Sequence, residues 1–411
     1  MAIVKPFKAV RPSRDKVALV SSKSYEEYSP AELGAKLDFN PFSFLHIINS
    51  GYKHQQEISS EQRFQLVHNR YEAFKEKQIF IQDAIPSFYI YQKTNHEGIF
   101  CGIIAATSVN DYNNNKIKKH EATLGKRVQL FENYLKVTGF NAEPVLLTFQ
   151  DDETLAAIIK RQQKNRPEYE FSTTDTQLHK LWLVKDAKII HQITEAFQKI
   201  EYLYIADGHH RSASSALLAK DLATANQNHT GNEAYNFFMS YLIPESDLKI
   251  SAFNRFVRDL NGLSVKEFLT QLNAFFIIEN KGQQLYSPSK KHHFSMYLQG
   301  EFYALYLREN KYHFTDALST LDAEILYKTV LRPMLGIDDV THNDRIAYAH
   351  NKTNAIAIKT KVDSGLFKVG FGLVAVDIHE MKKISNANLK MPPKTTYIQP
   401  KLRSGLTMYE F

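Results

Sequence analysis

Five consecutive residues, Asp207, Gly208, His209, His210 and Arg211, place an acid, a glycine, two imidazoles and a guanidinium on one turn. An apolar run from Tyr202 to Ala206 leads into the acid, and small residues in a helical pattern follow as far as Lys220. This predicts a strand ending at Ala206 and a helix beginning near Arg211 or Ser212. In α/β sheets, ligands gather where strand C-termini meet helix N-termini. The first N–H groups of a helix have no partner within it and the helix dipole adds positive character, so an anion is stabilised there. Gly208 permits a left-handed turn and a close approach of ligand to backbone. Arg211 offers a planar fork to phosphate or carboxylate, and His209 and His210 donate to phosphate oxygens or shuttle a proton. Asp207 is the natural base or magnesium ligand of the group. The competing structural reading is a capping aspartate beside two solvated histidines. Zinc is disfavoured, because adjacent histidines do not share a helix face and no cysteine accompanies them.

Three further stretches carry polar side chains in a pattern worth weighing. "KIKKHEATLGKR" sets His120 and Glu121 among cations that include Lys126 and Arg127. Alone it reads as a charged surface; paired with the turn, Glu121 becomes a base or metal ligand held charged by its neighbours. "MPPKTTYIQPKLRSGL" supplies Lys394, Lys401 and Arg403 among prolines. Its aromatic and apolar content argues against a frayed tail and for a segment that packs back and lends cations to an anion site. "NPFSFLHI" contributes Ser43 and His46, either substrate contacts or, for the histidine, an ordinary core residue.

The elements that must position these groups follow from hydrophobic period. Phe64, Val67, Tyr71 and Phe74 share one face of a helix that Ser59 or Ser60 caps. "SFYIYQKTNHEGIFCGIIAATSV" reads as two strands around a turn at "NHEG", and "HEATLGKRVQLFENYLKVTG" as a helix that Gly139 terminates. "DFNPFSFLHIINS" reads as a loop entering a buried strand. "LHKLWLV", "DAKIIHQITEAFQKI", "YLYIA" and "HRSASSALLAKDLATA" alternate strand and helix, which predicts parallel pairing of the two strands through a crossover. Later, "HHFSMYLQGEFYALYLREN" is a hairpin around Gln299-Gly300, and Pro333 interrupts a helix. The fold class is mixed α/β, with 411 residues enough for two domains; a boundary falls near residue 250.

Composition narrows the function. Hydrophobic residues are 43% and charged residues 23% of the chain, ordinary for a globular protein. No apolar run approaches the ~20 residues of a membrane span, the N-terminus has no signal-peptide block, and the single cysteine, Cys101, excludes a disulfide framework. The expected location is the cytoplasm. A net charge of +7 suits an anionic partner, yet the cations are scattered rather than blocked, which argues against nucleic acid or membrane as that partner.

Taken together, "ADGHHR", "NPFSFLH", "IKKHEAT" and "MPPKTTYIQPKLRSGL" resemble a widespread family labelled as a domain of unknown function, over nearly the whole chain. The Asp207–Arg211 signature is also similar to that of free L-serine kinases of the ParB/sulfiredoxin-like superfamily. The resemblance implies a catalytic ParB/sulfiredoxin-like region over 1–250 and a C-terminal α/β region over 251–411 whose segment near 390–405 returns to the site. It implies transfer of a phosphoryl group from pyrophosphate to L-serine with Mg²⁺, giving O-phospho-L-serine, with ADP or ATP as other donors. Donor binding then maps onto Gly208, His209, His210, Arg211 and Ser212, with Arg127, Lys394, Lys401 and Arg403 as supporting cations. Asp207 matches the signature as base and metal ligand; Glu121 is assigned the same roles by analogy, and Ser43, His46 and His120 are put forward from the residues themselves as facing the substrate. Two other classes compete: a ParB-like nucleotide-dependent nucleic-acid-binding protein, which wants a basic recognition helix not evident here, and a phosphatase or hydrolase using the same anion site.

Overall fold

The computed structural model describes residues 2–49, 58–350 and 355–411, and its chain divides into two units. The first comprises residues 1–119, 123–248 and 400–411, the second 120–122 and 249–399. Both are mixed α/β, as the sequence pattern predicts.

Nine strands build the main sheet of the first unit: β1 (Val4–Lys5), β2 (Phe88–Asn95), β3 (Gly98–Ser108), β4 (Ile117–Lys118), β5 (Val145–Phe149), β6 (Tyr169–Ser172), β7 (Leu178–Val184), β8 (Leu203–Asp207) and β9 (Phe237–Pro244). Their order is β4-β8-β5-β9-β3-β2-β7-β6, with β1 also paired to β3. The helices of this unit include α1 (Ser60–Glu76), α2 (Gly125–Thr138), α3 (Glu153–Gln162), α4 (Ala187–Lys199) and α5 (His209–Ala225). The caps follow the sequence. Ser59 closes a capping box on α1, Gly139 ends α2 at φ 79°, and Asp186 accepts two N–H bonds at the start of α4.

Strand alternation gives the sheet two different faces. Ile90, Ile103, Leu147, Trp182, Ile205 and Leu242 pack with Ile158 of α3, Ile193 and Phe197 of α4, and Ala216 and Ala219 of α5 in one apolar core. Full burial of each large side chain there contributes about 1.5–3 kcal/mol. The alternate positions carry Tyr89, Tyr91, Lys93, His179 and Tyr241, all buried. Gly102 makes room for this second face: a Cβ there would lie 2.3 Å from the Leu242 carbonyl and 2.9 Å from the Tyr241 ring.

Two expectations fail. The strands β7 and β8 are not parallel neighbours. β7 pairs antiparallel with β2 along its own full length, from Leu178–Thr94 to Val184–Phe88, because the β2–β3 hairpin leaves that edge open as a long template. β8 instead lies between β4, to which it is parallel, and β5, to which it is antiparallel. The predicted strand after "DFNPFS" is a helical turn, Leu45–Ile48. Asn40 accepts the Phe42 N–H at 3.1 Å and Ser43 Oγ accepts the Leu45 N–H at 3.3 Å, so local side-chain bonds bend the chain before it can extend.

In the second unit, strands β10 (Lys249–Ser251) and β17 (Tyr397–Gln399) form a two-stranded pair. Between them in the chain run β11 (Asn254–Val257), β12 (Phe276–Gly282), β13 (His293–Leu298), β14 (Glu301–Leu307), β15 (Ile346–Ala349) and β16 (Val369–Gly372). These make an antiparallel sheet in the order β12-β14-β13-β16-β11-β15. The β13–β14 hairpin turns on Gln299 and Gly300, both at positive φ (51° and 85°). The helix from Asp322 widens to π geometry at Tyr327 and ends before Pro333, which cannot continue it. Among the described residues no helix is long and apolar enough to cross a membrane.

Candidate functional site

β8 ends on Asp207 and α5 begins at His209, so the junction between them is the single residue Gly208. Gly208 sits at φ 100°, and the helix starts with no side-chain cap. A Cβ at 208 would lie 3.1 Å from Arg211 Nε and 3.2 Å from its Cζ. Glycine is therefore required twice, for the left-handed backbone and for the guanidinium folded over it. The helix begins two residues earlier than its sequence pattern indicates, because Gly208 alone makes the turn.

Charged side chains converge on the strand end. Arg211 donates from Nη2 to Asp207 Oδ2 at 2.7 Å and from Nη1 to the Pro144 carbonyl at 2.6 Å. Glu143 Oε2 lies 3.2 Å from Arg211 Nη1. The Lys401 ammonium donates to Asp207 Oδ1 at 2.8 Å. Each Asp207 oxygen thus faces one cation, and Arg211 sits between two carboxylates. Burial pushes the Glu143 carboxyl up from its ordinary range; Arg211 opposes this and Asp207 reinforces it. A half-buried acid raised toward neutrality, an acid held by two cations, and a helix start with no side-chain cap are an arrangement that can hold an anion and move a proton.

The other residues singled out in the sequence fall in different places. Ser212 is buried, and its hydroxyl donates back to the carbonyls of Gly208 at 3.1 Å and His209 at 3.2 Å, so it shapes the turn. His209 is buried and His210 half-buried. Arg127 projects from the first turns of α2, its guanidinium 5.5 Å from the Phe131 ring. Arg403 is buried and donates to the Ser21 carbonyl at 2.6 Å. His46 Nε2 lies 3.0 Å from the Asn40 carbonyl, and Ser43 is committed to the same turn. In the second unit, His120 is buried and its carbonyl accepts the Met391 N–H at 2.8 Å, while Glu121 is exposed. Lys394 there adopts φ 53° with its ammonium 5.5 Å from the Phe253 ring. Cys101 is buried and its thiol is pushed up to about 12 by that burial, so it is no nucleophile near neutral pH.

Sequence reading missed Glu143, Lys93 and His179. Glu143 stands in a loop with no motif around it. Lys93 and His179 lie on alternating strands, where the sequence period does not tell a solvent face from a covered one, and the second covered face of the sheet makes them interior. Burial, then Arg403 and Lys93, depress the His179 imidazole from 6.5 to about 3. Between those values the unfolded chain binds a proton that the folded chain refuses, so stability falls as pH drops from about 6.5 toward 3. We expect wild type to lose more stability than His179→Gln between pH 7 and 4.5, by up to about 1.4 kcal/mol per pH unit. Urea midpoints at the two pH values measure this; equal losses would rule out a buried neutral imidazole.

Comparison with known proteins places the chain. The family model described as "Protein of unknown function (DUF1015)" matches residues 4–324. No curated protein matches. Similar solved structures include a free serine kinase variant in complex with AMP, at 12% identity over 73% of this chain and 88% of that one with a TM-score of 0.38. A conserved hypothetical protein from Pyrococcus furiosus matches at 14% identity over 72% and 90%, TM-score 0.35. A C-terminally truncated SbnI from Staphylococcus aureus matches at 11% identity over 74% and 85%, TM-score 0.38.

Proposed function

The chain belongs to the DUF1015 family, a grouping that specifies no reaction, and we propose the reaction from the site: phosphoryl transfer from pyrophosphate to the hydroxyl of free L-serine. The observation that carries this reading is the Asp207 carboxylate, gripped by Arg211 and Lys401 at the uncapped start of α5. Phosphoryl transfer needs positioning and charge neutralisation more than covalent chemistry, and both are built into this junction. The helix start and the Gly208 turn hold donor oxygens. Arg211 and Lys401 face the charge that develops on the transferring group. Asp207 takes the hydroxyl proton, releasing one of its two cations to do so, and that cation turns to the phosphoryl oxygens. Glu143 and Glu121 are the other acids in contention for the proton. Serine as acceptor and pyrophosphate as donor rest on the resemblance of the Asp207–Arg211 signature to free L-serine kinases.

Asp207 and Glu121 are the acids that would hold Mg²⁺, an ion that prefers oxygen ligands, and Asp207 would exchange a cation partner to do so. Magnesium, when bound, neutralises donor oxygens.

The test is an end-point assay of the purified chain with L-serine and Mg²⁺, supplied separately with pyrophosphate, ADP and ATP. O-phosphoserine is expected with pyrophosphate. Absence of product with every donor would sink the reading, and release of phosphate without phosphoserine would mark a hydrolase instead. Arg211→Lys keeps the charge but loses the fork. Its expected effect is a KM for donor raised about 10-fold or more, the loss of one charge-assisted hydrogen bond, measured in the same assay.

A further inference from the structure

The second face of the first unit's sheet holds buried cations that the donor cradle does not use. Lys93 on β2 and His179 on β7 are direct cross-strand partners, so their side chains stand together. Lys93 is 6% exposed, and its ammonium donates to the Lys401 carbonyl at 2.8 Å. Arg403, 8% exposed, donates to the Ser21 carbonyl at 2.6 Å and to Ser21 Oγ at 3.2 Å. Among the described residues neither cation has a carboxylate within ion-pair distance. The acids around them are engaged elsewhere: Asp175 with Lys23 at 3.3 Å, Asp207 with Lys401 and Arg211. Glu27, whose carboxyl senses Lys93 and Lys401, is exposed.

Two uncharged groups complete the cluster. The Tyr91 hydroxyl lies 2.8 Å from His179 Nδ1, and that nitrogen is its one recorded acceptor among the described residues. With the hydroxyl donating to Nδ1, the tautomer that leaves no Tyr91 donor unpaired, the proton sits on Nε2 as a donor. His179 Nε2 and the Ser22 hydroxyl are both buried with no recorded partner. Two interior cations with no ion-paired carboxylate, Lys93 supported only from a distance by Glu27 and Asp175, beside two unpartnered polar groups are unfavourable in the ligand-free chain. An anion would answer such groups.

We propose that Lys93, Arg403, His179 and Ser22 form a subsite for the carboxylate of the phosphoryl acceptor, separate from the donor cradle at Gly208. This rests on the phosphotransfer reading and assigns its acceptor to a chemical class, a small hydroxy-carboxylate or hydroxy-amino acid. Lys401 fixes the spacing. Its carbonyl receives Lys93 and its ammonium reaches Asp207, so subsite and candidate base lie one lysine apart, a spacing that matches a short acceptor whose carboxylate and hydroxyl point opposite ways. A guanidinium with a neighbouring hydroxyl matches a planar carboxylate.

Calorimetric titration of the full chain tests this without turnover, using L-serine, L-serinamide and pyrophosphate as probes. Wild type should bind L-serine and discriminate against serinamide, which lacks the carboxylate. Lys93→Met should weaken L-serine about 10- to 100-fold, the loss of a charged hydrogen bond, and leave pyrophosphate unchanged. Because the variant removes an uncompensated buried cation, its ligand-free melting temperature should equal or exceed that of wild type. Ser22→Ala, a smaller change, should weaken L-serine severalfold at unchanged melting temperature. Unaltered serine binding in both variants, equal binding of serinamide, or loss of pyrophosphate rather than serine would overturn the assignment. If no phosphoserine forms in the assay but a small carboxylate still binds wild type and not Lys93→Met, the phosphotransfer reading fails and the carboxylate subsite stands.

Discussion

Asp207→Asn lowers phosphoryl transfer by about 10²–10⁴-fold, the usual contribution of a positioned general base, and leaves the chain folded. Asparagine keeps the shape of aspartate and one acceptor oxygen, so Arg211 or Lys401 retains a partner. What it cannot do is take the acceptor's proton. The change also frees positive charge. Arg211 keeps Glu143 at 3.2 Å, but the pairing of both cations with residue 207 weakens, so both turn more readily to the donor. Pyrophosphate titrated without Mg²⁺ should therefore bind the variant at least as tightly as wild type while turnover with Mg²⁺ collapses. That split separates a base from a group that merely holds the donor, since loss of a holding group weakens donor binding. The structural effect should be small, about 1 kcal/mol or less, because both cations are roughly a quarter exposed and their pairing is screened by solvent. Steady-state kinetics with a urea titration of the same preparation read both quantities. Near-normal turnover would remove Asp207 as the base and pass the role to Glu143 or Glu121, which Glu143→Gln and Glu121→Gln then separate.

The junction was legible because its cues are local. An apolar run, a glycine and a helical pattern specify strand, turn and helix over about twenty residues, and only the helix start shifted, since Gly208 makes the whole turn. The arrival of Lys401 at Asp207, 194 positions apart in the chain, was legible only as a tendency, in the aromatic content of the C-terminal segment. Glu143 was not legible at all: its place beside Arg211 depends on β5 lying next to β8, and strand order is a property of the assembled sheet. The same cause explains the error over β7 and β8. Alternation of strand and helix favours a parallel crossover, but it does not count the competing edges, and here the β2–β3 hairpin offered β7 seven paired residues. Lys93 and His179 failed for a related reason. Period two identifies which residues share a face, and only tertiary packing decides whether that face meets water.

The largest stability effect is expected at the clamp that holds the N-terminal segment. Arg11 is 4% exposed and donates to Asp83 from Nε at 3.0 Å and from Nη2 at 2.9 Å. Its Nη1 reaches Tyr169 at 2.6 Å and Glu168 at 3.1 Å, and Tyr89 donates to Asp83 Oδ2 at 2.8 Å. This network ties the segment before Ser21 and Ser22 to β2 and β6, and Ser21 in turn anchors Arg403. Removing one partner of such a pair strands a charge in the interior. Asp83→Asn should therefore destabilise the first unit by about 3–5 kcal/mol, whereas Arg11→Met with Asp83→Leu should recover much of that loss, because two apolar side chains need no counter-charge. The single tryptophan of the chain, Trp182, reports the result cleanly. It is buried in β7, its indole N–H on the Asn165 carbonyl at 2.9 Å, so its fluorescence follows the first unit alone. A urea midpoint for Asp83→Asn within about 1 kcal/mol of wild type, the level of an exposed pair, would mean that the network is solvated in solution. The clamp would then place no constraint on Ser21, and Arg403 would have to be held by its other packing.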